Sequence, residues 1–171
     1  MGMDVMGLNA TSETGSYFRN NVWWWRPLWD YCMLIGKDII PDDNLGHSND
    51  GWGLDAVSSR ALASLLQAEI DSGRCLAYQI QYEKELAEMP DEECELCAGT
   101  GVRDDDIGKK MGQHTKYIQK EGHPRNGMMG WCNGCDGTGH KRPFQTNYPF
   151  HVENVQEFVE FLRDCGGFSI H

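Results

Sequence analysis

Long apolar runs are missing from this chain, and none approaches the ~20 residues that a membrane-crossing helix needs. The opening Met-Gly-Met-Asp-Val-Met-Gly lacks a basic segment followed by an apolar stretch, so no secretory leader is expected. Met6 stands where a myristoylation signal on Gly2 would need Ser or Thr. Without secretion the sequon at Asn9-Ala-Thr11 carries no meaning. Basic residues are also scarce: 15 Lys and Arg against 26 Asp and Glu leave a net charge of −11. That balance argues against a general nucleic-acid binder, because phosphate contacts need a basic face. No P-loop, G-x-S-x-G or H-E-x-x-H motif occurs, nor a paired nucleophile and base, so no enzyme is expected.

Cysteine, by contrast, is present in a pattern. Cys94-Glu-Leu-Cys97-Ala-Gly99-Thr-Gly101 recurs as Cys132-Asn-Gly-Cys135-Asp-Gly137-Thr-Gly139, with 34 residues between Cys97 and Cys132. Four thiolates in two C-x-x-C pairs suit one closed, tetrahedral, structural Zn2+ site. The glycines at matching places allow the sharp turns that aim two sulfurs at one ion. Catalytic zinc would need an open position, and a redox C-x-x-C is normally single and at a helix start. Cys94, Cys97, Cys132 and Cys135 are therefore the candidate metal ligands, and His114, His123 and His140 are spectators. Cys32, Cys75 and Cys165 sit in apolar-patterned segments and read as small buried residues of a chain in a reducing compartment.

The knuckles resemble the C-x-x-C-x-G-x-G repeats of the DnaJ-type cysteine-rich zinc module, over residues 91–141 only. That family carries four repeats and two zinc ions; two repeats here imply one ion. The J-domain His-Pro-Asp signature has no counterpart, since His123-Pro124 is followed by Arg125. The resemblance implies a metal-stapled protein-binding element, not a co-chaperone. Tyr-Phe-Arg-Asn-Asn-Val-Trp-Trp-Trp-Arg-Pro-Leu, the Met-Gly-Met-Asp-Val opening and the Val-Glu-Asn-Val-Gln-Glu-Phe to Cys-Gly-Gly-Phe ending are similar to small bacteriophage and prophage proteins. This implies a phage-related origin and a bacterial host cytoplasm, without supplying an activity.

The remaining chain reads as helices with a few short strands. Residues 2–8 alternate as a strand, Met3 and Val5 on one side. Pro27 suits the first turn of a helix that puts Leu28, Tyr31, Cys32 and Ile35 on one face before Gly36. Trp23, Trp24 and Trp25 then fall in the extended entry to it, where side chains alternate. Trp23 and Trp25 are expected to pack inward. Trp24 faces the other way, more exposed or covered by the Gly-rich loop around Trp52. Leu54 to Ser72 patterns as a helix with Leu54, Val57, Ala61, Leu65 and Ala68 in one stripe, widened by Leu62, Leu66 and Ile70. Arg74 to Met89 follows as a helix with Leu76, Ile80 and Leu86 inward, a strand at Cys75–Tyr82 being the alternative. Inside the cysteine-bounded segment only a weak helical pattern shows, at Lys116–Lys120. Val152 to Asp164 is a helix with Val152, Val155, Phe158, Val159 and Leu162 on one face, and Phe168-Ser169-Ile170 a terminal strand able to pair with residues 3–7.

The expected fold is α+β, about four helices around a small sheet, with an inserted four-cysteine zinc-binding module. Residues 1–90 and 141–171 form the main domain and 91–140 the insert. The function expected is a phage-type, zinc-stabilised protein-interaction module acting on a host cytoplasmic protein, with no nucleic-acid or membrane partner. Trp24, Trp52, Asp104, Asp105 and Asp106 are its candidate partner-binding residues. An acidic nucleic-acid mimic that inhibits a DNA- or RNA-binding host factor is one alternative, motivated by the acidic run Asp91–Asp106 and the overall charge, and weakened by the interleaved lysines. An enzyme using the Gly46–Asp55 loop, with His47, Asn49, Asp50 and Asp55, is the other; Asn-Asp-Gly there also suits an ordinary turn before a helix cap.

Overall fold

The computed structural model describes residues 2–118 and 120–171. In chain order they form β1 (Gly2–Gly7), α1 (Glu13–Ser16), β2 (Tyr17–Asn21), α2 (Val22–Ile35), α3 (Ala56–Asp71), α4 (Arg74–Glu88), β3 (Glu92–Glu93), α5 (Asp106–Lys110), β4 (His140–Lys141), a 3-10 turn (Phe144–Asn147), α6 (Val152–Asp164) and β5 (Phe168–Ile170). The fold is α+β, and the chain divides into two compact units: Met1–Ala87 with Asn147–His171, and Glu88–Thr146. No helix among the described residues is long and apolar enough to cross a membrane.

The first unit is built on an antiparallel sheet of order β2-β1-β5. β1 buries Met3 and Val5 and pairs Val5 with both Phe18 and Ile170. The helices start where short polar side chains can cap them. Asn21 accepts from the N–H groups of Trp23 and Trp24 at 3.0 and 3.1 Å, and Asp55 accepts from Ser58 N–H at 2.7 Å. Gly36 closes α2 by donating to the Cys32 carbonyl. The core is aromatic. Trp25 and Trp29 stack at 5.5 Å, and Trp25 meets Phe158 edge-on at 5.6 Å. Val155, Phe158, Val159 and Leu162 of α6 are fully buried beside Leu62 and Leu66 of α3.

Several expectations are corrected by this packing. α2 begins at Val22, with Pro27 its sixth residue, so Trp23–Trp25 occupy helical turns and not an extended entry. Helical spacing of about 100° per residue separates Trp23 from Trp25. Trp25 is buried, whereas Trp23 and Trp24 are both half-buried, Trp23 against Tyr148 and Trp24 stacked on His151. The segment before α2, left without an element in the pattern, is the strand β2. In α3 the buried line is Ser59, Leu62, Ala63 and Leu66. Val57, Ala61 and Ala68 face outward, and Leu65 is only half-buried. In α4 the buried side is Cys75 with Tyr78 and Tyr82, while Leu76 and Ile80 are exposed. Tyr78 wins that contest through ring contacts with Tyr31 at 4.7 Å and Phe150 at 4.9 Å.

The second unit starts and finishes on one two-stranded ribbon, β3 with β4. Its short helix is α5, capped by Asp105, which accepts from Gly108 N–H at 2.7 Å. The helical pattern at Lys116–Lys120 is not used. Lys116 instead bridges Met129 in an antiparallel hairpin, and Gln119 lies outside the described residues. In this hairpin Trp131 and Gly130 donate to the carbonyls of Gln113 and Thr115. Tyr117 is fully buried, edge-on to Trp131 at 5.6 Å, with its hydroxyl donating to Asp136 at 2.9 Å.

Candidate metal centre

The repeated octapeptide folds into a repeated structure. Cys94 N–H donates to the Gly139 carbonyl at 2.9 Å, and Cys132 N–H donates to the Gly101 carbonyl at 2.8 Å. Each knuckle thus borrows an acceptor from the last glycine of the other. The threonines brace each turn equally: Thr100 Oγ1 donates to Cys97 O at 2.7 Å and Thr138 Oγ1 to Cys135 O at 2.7 Å. Ala98 and Asp136, at equivalent places, both take positive φ, 45° and 53°. Side chains tolerate that conformation at a cost, which here turns the chain back over the sulfurs.

The result is a cluster of four sulfurs, all buried, within 4.8 Å of one another. Cys94 Sγ lies 3.9 Å from Cys132 Sγ, and Cys97 Sγ 3.7 Å from Cys135 Sγ. A tetrahedral ion with metal–sulfur bonds of ~2.3 Å requires sulfur–sulfur separations of about 3.8 Å. The residues therefore fit a single four-coordinate metal ion. Backbone N–H groups complete the donor set, Gly101 to Cys97 Sγ at 3.3 Å and Gly139 to Cys135 Sγ at 3.2 Å. N–H groups aimed at sulfur favour the thiolate that a metal needs. Burial pushes the Cys97 thiol up and the Cys132 thiol up to about 12. Burial acts on Cys94 as well, but the Leu96 N–H and the neighbouring thiols outweigh it and bring that group down. A metal ion must displace protons from such a cluster, and its positive charge is what makes four adjacent thiolates tolerable.

No family model, curated protein or solved structure matches this chain. Its function has to be read from its own residues.

His114, His123 and His140 do not join the sulfur cluster; His114 Nδ1 lies against the Lys109 carbonyl and His123 packs on the Tyr117 ring. Asp104, Asp105 and Asp106 are exposed, and Asp105 is committed to the α5 cap and to Arg103 at 3.1 Å. Trp52 is half-buried, edge-on to Trp29 at 5.5 Å. The Gly46–Asp55 loop carries structural bonds. Trp25 Nε1 donates to the Gly46 carbonyl, His47 Nε2 meets Asp30 at 2.9 Å, Asn49 donates to the Gly2 carbonyl, and Asp55 caps α3. Sequence reasoning passed over Thr100, Thr138 and Asp136 as supports of the metal centre. The signal was available for the two threonines, which repeat in register with the cysteines.

Proposed function

We propose that this chain is a zinc-stapled protein-interaction protein of phage type: one structural Zn2+ held by Cys94, Cys97, Cys132 and Cys135, no catalysis, and a protein partner in the bacterial host cytoplasm. Zinc is favoured over other ions by four thiolates in tetrahedral spacing. Four thiolates also fill the coordination shell, so a substrate has no place on the ion. The phage setting and the compartment rest on the resemblance of the opening, tryptophan-rich and closing stretches to small phage proteins.

The observation that carries the interaction reading is the surface of the metal unit. Leu96, Ile107, Met111, Ile118, Met128 and Met129 are between 48% and 78% exposed there. So many large apolar side chains on so small a unit suit a binding surface, and methionine adapts to varied partners. The test is affinity capture from bacterial lysate, repeated with chelator and in 1 M salt, with bound proteins identified by mass spectrometry. A partner retained in salt and released by chelator supports the reading. A partner released by salt and indifferent to chelator would favour a charge-driven surface instead.

A further inference from the structure

The first unit holds an open groove of ≈ 690 Å³ lined by Arg19, Asn20, Asn21, Trp24, His151, Glu153, Asn154 and Glu157. Its floor is a hydrogen-bonded amide chain. The Trp24 carbonyl can only accept, so Asn154 turns its Nδ2 toward it, at 3.4 Å. Asn154 Oδ1 then accepts from Asn20 Nδ2 at 2.6 Å. Asn20 is only 8% exposed, and its Nδ2 is committed to Asn154. Both asparagines line the groove, so a ligand's N–H groups can meet amide oxygen there.

The walls ask for the same ligand. Glu153 and Glu157 stand four residues apart on α6, which puts them on one face, and neither has a hydrogen-bond or ion-pair partner among the described residues. Arg19 is the one cation among the lining residues, and Asp4 lies 3.7 Å from it. Trp24 supplies an indole, stacked on His151 at 4.7 Å and only half-buried. An aromatic face, two unpaired carboxylates and a carbonyl acceptor repel a phosphate and attract a planar cation with several N–H donors. The net charge of −11 steers such ligands in.

We propose that this groove binds the guanidinium group of an arginine side chain in a basic peptide segment. A lysine ammonium would be a poorer fit, since it cannot stack flat on the indole while donating to separate acceptors. The groove lies in the other unit and takes a defined ligand, so the apolar surface of the metal unit and this groove stand or fall separately.

The test is a titration of the whole zinc-loaded protein with the amide of Gly-Gly-Arg-Gly-Gly, and with its citrulline twin, which keeps the shape and loses the charge. The Trp24 indole N–H and the Asn20 and Asn154 side-chain amides are followed by NMR. The expected result is saturable shifts at these groups with the arginine peptide and at least tenfold weaker binding of the citrulline peptide. A Glu153→Gln, Glu157→Gln variant should bind the arginine peptide at least tenfold more weakly. Equal binding of the twins overturns the proposal, as does absence of saturable shifts at the groove. Undiminished binding in the double variant does the same. So does tighter binding of adenosine monophosphate at the same resonances, which would make the groove a base-stacking site.

Discussion

A Cβ on Gly101 would stand 2.4 Å from the carbonyl oxygen of Gly137, and one on Gly139 would stand 2.2 Å from the carbonyl of Gly99. The two knuckles touch through backbone that no side chain can enter. Gly101 also has φ of +72°, where a left-handed backbone costs an L-residue about 1–2 kcal/mol before any clash. Gly101→Ala should therefore weaken metal binding more than tenfold, read by competition with a chromophoric chelator. Unchanged affinity would show that the inter-knuckle contact does not hold the site.

Metal removal should act on one unit. The purified chain is expected to hold one zinc, lost in a Cys94→Ser, Cys132→Ser double variant, as metal analysis would report. The first unit has its own core around Trp25, Phe158 and Leu62, all fully buried. Chelation should raise hydrogen exchange across residues 88–146 and leave β1, α3 and α6 protected. Loss of protection throughout would mean that the metal holds the whole fold.

Trp25 and Trp24, adjacent in sequence, should respond differently to truncation. Trp25 is 0% exposed and donates its indole N–H to the Gly46 carbonyl at 2.8 Å. Trp25→Ala should cost the ~3–5 kcal/mol of a large core truncation. Trp24 loses mainly its stacking on His151, worth about 0.5–1.5 kcal/mol. Denaturant unfolding of both variants decides the matter, and a costlier Trp24→Ala would contradict the packing described.

Glu69 ties the end of α3 to the start of α4. Its carboxylate accepts from Arg74 at 2.7 and 3.0 Å, and its side chain is 12% exposed. The hydrogen bonds from Arg74 hold its pKa below the usual carboxylate range. A depressed carboxyl stabilises the fold above its unfolded pKa of ~4.3 and loses that contribution as pH falls through the lower folded value. The stability difference between wild type and Glu69→Gln should thus be largest near neutrality and shrink below about pH 4. Melting temperatures that differ equally at pH 7 and pH 3 would refute this.

The four-cysteine cluster was legible because its information is local. Eight residues specify each knuckle, and repetition removes the ambiguity of a single motif. α6 was legible too, since one strong stripe leaves no choice of face. α4 offered two faces, Leu76 with Ile80 or Tyr78 with Tyr82. Phe150 and Tyr31, distant in sequence, decide between them, and periodicity cannot see either. Pro27 misled because proline is favoured at helix starts. The working cap was Asn21, one residue before α2, hidden between a strand and a run of tryptophans. α5 and the hairpin through Tyr117 were obscured by their glycines and by the short reach of each element.

The pairing of Glu92 with Lys141 and Glu93 with His140 brings the two ends of the metal unit side by side, about 5 Å apart. Chain that departs and returns at one point leaves the path on either side undisturbed. Topologically the unit is a cassette. An insertion, exchange or deletion between those ends does not re-thread what comes before or after it.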